Sequence, residues 1–130
     1  MKEMYETYNE VAEFRIVYIR EAHAADSDWP LAFAKEKGIT EHKDYGERCT
    51  TAEVMMAEND VTIPCVIDNM DNAVNDAYLG HPTRVFLVRK DGILGVAAGR
   101  GPAGYRPGLQ ATMAWLAEYK TTGKEPDLPN

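Results

Sequence analysis

A polar stretch that follows an apolar run contains the residues of this chain best suited to chemistry. Glu21, His23, Asp26 and Asp28 come directly after F-R-I-V-Y-I-R, and Trp29 closes the stretch. A histidine can transfer a proton near neutral pH, and a neighbouring carboxylate can fix its tautomer and stabilise the imidazolium. The stretch therefore indicates acid–base chemistry, with an ordinary polar loop as the alternative interpretation.

The apolar run before these residues predicts a β-strand over residues 14–20. Its side chains are aliphatic or aromatic on both faces, which is typical of a strand covered on both sides in an α/β sheet. Ligands of open α/β sheets bind beyond the carboxyl ends of strands. The predicted strand would therefore place the polar stretch at the most favourable position for a site.

Periodicity and turn residues predict the other elements. Pro64 indicates an edge strand, and Pro107 suits the first position of the last helix. One domain is expected over residues 1–122, with a loose tail at 123–130. The predicted helices cover residues 2–13, a short segment ended by Gly38, and residues 44–58, 71–79 and 107–122; the further strands cover 62–68, 83–90 and the run after Asp91-Gly92.

This order predicts an α/β fold of the thioredoxin-like kind, a mixed sheet with flanking helices. A parallel half is followed by an antiparallel hairpin that a proline introduces, and His81–Pro82 is the candidate cis peptide bond beside the site. The chain opens with a helix that leads into a buried strand, whereas a parallel unit normally has a strand before that helix. We therefore expect the first strand of the fold to be missing.

Composition limits the classes of function. The chain has 130 residues, 45% of them hydrophobic and 27% charged, and a net charge of −7. The negative charge argues against nucleic acid or an anionic membrane as a partner, and neither a signal peptide nor a membrane-spanning run of about 18 apolar residues is evident. A cytoplasmic location is the expectation.

No metal site is expected from the cysteines or the acidic residues. Cys49 and Cys65 lack zinc or C-x-x-C spacing and are interpreted as buried hydrophobic residues. The acidic turn at 68–72 lacks the ligand spacing of a calcium loop.

Five phrases of the sequence resemble the iodothyronine deiodinase family, in the order and at about the spacing of that family. They are Y-I-R-E-A-H-A-A-D-S-D-W, I-T-E-H-K-D-Y-G-E-R, I-P-C-V-I-D-N-M-D-N, P-T-R-V-F-L-V-R-K-D-G-I-L and G-R-G-P-A-G-Y-R-P. The resemblance implies a thioredoxin-fold reductive dehalogenase that uses a thiol reductant and no bound cofactor. It also implies a small-molecule substrate.

The resemblance also implies roles for individual residues. His23 would contact or protonate the substrate, Glu21 would orient His23, and His42 would be linked to activity. Arg84 would form a substrate clamp with His23, and Trp29 is included among the substrate-binding residues. Simpler alternatives are a solvated His42 at a helix start and an Arg84 that only pairs with a surface acid.

The family's reacting selenocysteine or cysteine would lie upstream of Tyr8, outside this sequence, and neither Cys49 nor Cys65 occupies its position. Without such a nucleophile these 130 residues would be inactive on their own. One hypothesis is that they are the downstream part of a longer gene whose selenocysteine codon was read as a stop, and the competing accounts are a deliberately trimmed sequence and a truncated paralogue. A non-catalytic module for a small aromatic or acidic ligand and a decayed fragment are the alternatives. Because a missing central strand leaves unpaired edges, a homodimer is expected.

Overall fold

The computed structural model describes residues 1–127, which form two compact units. The middle unit contains residues 15–81, and the terminal unit contains residues 1–14 together with the chain from residue 82. The helices are α1 Lys2–Tyr8, α2 Ala32–Lys37, α3 Tyr45–Glu58, α4 Ala73–Tyr78 and α5 Tyr105–Thr122; the strands are β1 Ile16–Tyr18, β2 Cys65–Ile67, β3 Phe86–Val88 and β4 Leu94–Ala97.

The middle unit is built on a parallel pair of strands. β1 and β2 run side by side with Tyr18 opposite Ile67, and the amide of Asp68 donates to the Tyr18 carbonyl at 2.9 Å. Parallel strands need a crossover between them, and here α2 and α3 supply it. The predicted α/β character is thereby confirmed for this unit.

Helix α3 begins where the sequence predicts. The Asp44 carboxylate accepts from the Glu47 amide at 2.9 Å, and the Glu47 carboxylate accepts from the Lys43 amide at 2.8 Å. This arrangement satisfies amide groups that the first turn leaves without partners within the helix. It fixes the start of α3, and so the position of Arg48 one turn later.

The terminal unit contains the antiparallel hairpin of β3 and β4. The hairpin turns near the predicted Asp91-Gly92, but the Gly92 amide donates to the Arg89 carbonyl at 2.9 Å, so Lys90 and Asp91 are the central residues of the turn and Gly92 follows with φ +83°. The core of this unit joins α1, the hairpin and α5 through four buried side chains: Met4, Tyr8, Leu87 and Leu116.

Several predicted boundaries are wrong. α1 ends at Tyr8 rather than residue 13, and α5 begins at Tyr105, so Pro107 lies within the first turn rather than at its start. A proline in the first turn costs no helical hydrogen bond, because an amide at that position has no partner within the helix. Glu125 of the predicted loose tail accepts from the Lys90 amide at 2.9 Å, whereas residues 128–130 of that tail lie outside the described residues.

The predicted cis bond is also wrong. The cis X-Pro bond within residues 1–127 is Gly101–Pro102, not His81–Pro82. The cis and trans isomers of an X-Pro bond differ in free energy by only about 0.5–1 kcal/mol, so tertiary context selects the isomer.

In the described part of the chain, no helix is both long and apolar enough to cross a bilayer.

Candidate functional site

A tyrosine–carboxylate pair lies at the carboxyl end of β1. Tyr18 is 8% exposed, and its hydroxyl donates to the Glu21 carboxylate. Burial raises the pKa of the Tyr18 phenol, and the hydrogen bond to Glu21 raises it further. Tyr18 therefore keeps its proton at neutral pH and presents it to Glu21.

His42 lies against this pair and is buried. Its ring centroid is 5.9 Å from that of Tyr18, and the residue is 7% exposed. The interpretation of His42 as a solvated histidine is therefore wrong. Neither ring nitrogen has a hydrogen-bond partner within the described chain, which is unusual for a buried polar group.

Burial of His42 favours its neutral form. Burial lowers the pKa of His42 from its ordinary value of 6.5. The carboxylate of Glu21 opposes this shift, and the guanidinium of Arg48 adds to it. A neutral imidazole has one nitrogen that can accept a proton, as a general base requires.

Arg48 is a charged residue of this region that the sequence patterns did not single out. It is 3% exposed, and its Nη1 donates to the main-chain oxygens of Asp68 at 3.0 Å and Asn69 at 2.7 Å. Arg48 and Ala52 are the buried residues of α3, and their spacing of four places both on the same face of the helix. That spacing is the signal that could have identified it.

Asp68 joins this network to helix α4. Its buried carboxylate accepts from the amides of Val74 at 3.1 Å and Asn75 at 2.8 Å, at the start of α4. A carboxylate is favourable there because the first amides of a helix have no partners within it. The loop after β2 is thus fixed by Arg48 on one side and by α4 on the other.

His23 is held by a different partner from the predicted one. Its Nδ1 lies 2.9 Å from the Trp29 carbonyl, and the Leu31 amide donates to the His23 carbonyl at 3.2 Å. The Glu21 carboxylate, which was expected to orient His23, instead accepts from the Tyr18 hydroxyl, and the turn at 23–31 brings a main-chain oxygen to the imidazole. A carbonyl only accepts, so Nδ1 carries the proton and Nε2 is the acceptor nitrogen of neutral His23.

Trp29 follows in the same turn with an exposed side chain. It is 79% exposed, and Leu31 and Phe33 are 54% and 42% exposed. Tryptophan is usually far more buried than this. An exposed indole beside a histidine can contact an aromatic ligand.

Arg84 belongs to the terminal unit. Its Nε donates to the Ala98 carbonyl at 2.8 Å, and its guanidinium carbon lies 4.8 Å from the centre of the Phe86 ring. These contacts fix the side chain at the start of the hairpin. The predicted clamp between Arg84 and His23 stays a prediction.

Both cysteines line a groove of about 530 Å³ between α3 and β2. Glu21, His23 and His42 are not among the residues that line this groove. Burial raises the pKa of the Cys65 thiol, which disfavours its reactive thiolate. Among the residues described, no group of three or more histidine, cysteine or acidic side chains is placed to hold a metal ion.

Comparison with known proteins gives consistent matches. The family model of iodothyronine deiodinase matches residues 1–120. Thyroxine 5-deiodinase of Sparus aurata is 36% identical over 116 residues, which are 87% of this chain and 40% of that protein. Thyroxine 5-deiodinase of Gallus gallus is 32% identical over 90% of this chain and 43% of its own length, and type II iodothyronine deiodinase of Homo sapiens is 33% identical over 88% and 42%. The chain thus spans about two fifths of the length of these relatives.

Proposed function

This chain belongs to the iodothyronine deiodinase family, and from that premise we propose that it carries the acid–base part of a deiodinase-like redox protein. The observation that carries the proposal is the buried His42, with two unpartnered ring nitrogens, against the Tyr18–Glu21 pair. A buried imidazole without partners suits a group that exchanges a proton with a ligand or with another segment. The proposed reaction is reductive dehalogenation or the thiol-dependent reduction of another small substrate.

The proposed substrate class is a halogenated phenol, because the similar proteins act on thyroxine by name. In the balanced reaction, a carbon–iodine bond is replaced by a carbon–hydrogen bond, two thiols become one disulfide, and iodide and a proton leave. A proton has to be delivered to carbon, and a thiol proton has to be removed. Glu21, His23 and His42 are the proposed catalytic residues for these transfers.

Three side chains are proposed to bind the substrate: Trp29, His23 and Arg84. Trp29 is proposed to contact the aromatic ring, and Nε2 of His23 is proposed to accept from the phenol hydroxyl. Arg84 is proposed to bind the acidic end of the substrate, because a guanidinium matches a carboxylate with two parallel hydrogen bonds. A thiol is the proposed electron donor, without a bound cofactor.

The proposed fold is thioredoxin-like, with its first strand outside this chain. The parallel pair of β1 and β2, the antiparallel pair of β3 and β4, and the final helix α5 support this assignment. A cytoplasmic location is part of the same proposal, from the acidic composition.

The proposed nucleophile is also outside this chain, so these 130 residues would not turn over substrate alone. The raised pKa of Cys65 supports this. The raised pKa of the Cys65 thiol also favours a second candidate function, a non-catalytic module that binds a small aromatic or acidic ligand. The two candidates differ in whether a nucleophile is present in the complete gene product.

The experiment that tests the proposal measures binding and turnover separately. Binding of 3,5-diiodotyrosine by calorimetry is expected for the chain and is expected to weaken in His23→Ala but not in His81→Ala. Thiol-dependent iodide release is expected from the complete gene product and not from these 130 residues. Failure of the complete product to release iodide, with binding intact, supports the module, and loss of both contradicts the proposed function.

A matched pair of variants tests the absence of a nucleophile. Cys49→Ser and Cys65→Ser remove the two thiols of this chain. Iodide release by the chain that persists in the double variant would show that another group attacks. Release that disappears in one single variant would assign the nucleophile to that cysteine, and would also contradict the proposal.

A further inference from the structure

Strand β2 has one edge bonded to β1 and one open edge. Ile16 lies opposite Cys65, and the Ile16 amide donates to the Pro64 carbonyl at 2.9 Å. In a parallel pair, main-chain groups of alternate residues bond to the neighbouring strand, and those of the intervening residues point to the other edge. The amides and carbonyls of Cys65 and Ile67 therefore point away from β1.

This open edge is free to accept another strand. Within residues 1–127, no main-chain group beyond the β1–β2 pair bonds to Cys65 or Ile67. Proteins commonly protect such edges with charged side chains or proline. Residues 63–67 are uncharged, and Pro64 turns its main chain toward β1, so neither device protects this edge.

The groove of about 530 Å³ between α3 and β2 adjoins the open edge. Cys65 and Ile67 line it from β2, while Ala52 and Met56 give it an apolar wall on α3. A strand added at the edge would place every second side chain on the face of the sheet that forms this groove. Main-chain bonds to an edge together with a groove for alternate side chains are the features of peptide recognition by strand addition.

The charge of the groove indicates which side chains it accepts. Glu53 and Asp60 line it, and none of its lining residues is basic. A lysine suits such a groove, because its stem covers apolar surface while its ammonium group reaches the carboxylates. On the opposite face of the sheet, Val66 is 49% exposed and lies beside the exposed Val17. An apolar side chain is therefore favoured at the intervening positions of the added strand.

A second copy of β2 suits this edge less well than a basic strand. Residues 65–67 contain no cation that could meet Glu53. Two-fold pairing of β2 with itself would also bring the acidic grooves of both copies together, and like charges across an interface oppose association. The strands β1, β3 and β4 keep open edges for contacts between copies.

We propose that the open edge of β2 and the adjoining groove bind an extended segment of a partner protein in which basic and apolar residues alternate. The segment adds to β2 as an antiparallel strand and exchanges hydrogen bonds with the amides and carbonyls of Cys65 and Ile67. Its basic side chains occupy the groove beside Glu53. This interaction goes beyond the proposed function and does not depend on dehalogenation.

The probe for this site is the peptide acetyl-Val-Lys-Val-Lys-Val-amide. In antiparallel pairing its two lysines lie opposite Ile67 and Cys65, with their amides toward β2 and their side chains in the groove. Calorimetry is expected to show saturable binding to the 130-residue chain. The peptide with glutamate in place of lysine is expected not to bind. Absence of binding by the lysine peptide, or equal binding of both peptides, would overturn the proposal.

Methylated peptides separate strand addition from attraction between charges. Methylation of both lysine amide nitrogens removes the donors that face β2 and is expected to weaken binding by about tenfold or more. Methylation of the central and last valine amide nitrogens leaves the charge and the lysine donors unchanged, so the affinity is expected to stay near that of the parent peptide. Equal affinities of the two methylated peptides would overturn the antiparallel strand.

Two variants of α3 test the acidic side of the groove. Glu53→Gln is expected to weaken binding of the lysine peptide by about two- to fivefold, the size of an exposed ion pair. Glu58→Gln removes the same charge from the same helix, but Glu58 pairs with Lys37 and does not line the groove. It is expected to leave the affinity unchanged, and equal losses in both variants would contradict the site.

Amide exchange followed by NMR locates the bound peptide. In the free chain, the Val66 amide faces β1 and is expected to exchange more slowly than those of Cys65 and Ile67. The peptide is expected to slow exchange at Cys65 and Ile67, and binding without this protection would overturn the proposal. Protection of both amides in the absence of peptide, lost on dilution, would assign the edge to a second copy and would also overturn it.

Discussion

At the scale of single residues, the site depends on burial as much as on residue type. Tyr18 and His42 are both less than a tenth exposed, and the charges of Glu21 and Arg48 act on both. Burial disfavours charged forms, so the phenol keeps its proton and the imidazole stays neutral. Their pKa values are therefore shifted in opposite directions.

The lowered pKa of His42 predicts a pH dependence of stability. In the unfolded chain His42 takes up a proton near pH 6.5, whereas the folded chain resists protonation. The unfolded state then binds more protons, so the free energy of unfolding falls as the pH drops through 6.5 toward the lower pKa of the folded state. Urea unfolding at a series of pH values should show a shallower decline in His42→Gln than in the unmodified protein, and equal declines would contradict this.

Removal of the Tyr18 hydroxyl is expected to destabilise the middle unit. Tyr18→Phe leaves the half-buried Glu21 carboxylate without its donor, which costs about 1–3 kcal/mol. Glu21→Gln retains an acceptor oxygen and should cost less. Urea unfolding provides the measurement, and Tyr45→Phe, at a side chain 46% exposed, should stay within about 0.5 kcal/mol. Equal effects of Tyr18→Phe and Tyr45→Phe would argue against a structural role of the hydrogen bond.

At the scale of elements, both units depend on close approaches between a helix and a strand. In the middle unit, Arg48 on α3 donates to the Asp68 carbonyl, just after β2. In the terminal unit, a Cβ at Gly108 of α5 would overlap the Ala98 methyl. The absence of a side chain at Gly108 allows α5 to pack against the chain just after β4.

Gly108→Ala is therefore expected to destabilise the terminal unit, although alanine is about 1 kcal/mol better than glycine within a helix. The added methyl requires α5 to move, and such overpacking costs about 1–3 kcal/mol. Thermal unfolding monitored by circular dichroism in the far ultraviolet would detect a lower midpoint. The reverse change at an exposed position of the same helix, Ala114→Gly, measures propensity alone, and a gain of stability in Gly108→Ala would refute the close approach.

At the scale of the whole molecule, each sheet within residues 1–127 consists of two strands, so every strand there has an open edge. Unpaired amide and carbonyl groups along an edge favour pairing with another chain. We therefore propose a homodimer in solution. Light scattering at micromolar concentration should give about twice the monomer mass of 14.5 kDa. A single monomeric species across that concentration range would contradict the dimer.

Local sequence signals were sufficient for much of the secondary structure. Gly38 and Gly123 end helices with positive φ, Asp44 and Glu47 begin α3, and the hairpin turns near Asp91-Gly92. These features depend on the conformations and hydrogen bonds of a few neighbouring residues. The sequence also contained the phrases that identified the family, and the family match confirmed that identification.

Only the tertiary structure decided which polar groups are buried together. The sequence indicated Glu21 as the partner of His23, but the fold gives Glu21 to Tyr18 and gives His23 the Trp29 carbonyl. Burial of Arg48 depends on main-chain oxygens about twenty residues away along the chain, and no local pattern specifies those. Propensity and periodicity describe neighbours in sequence, whereas hydrogen-bond partners and desolvation depend on long-range packing, and these set the protonation states of the candidate site.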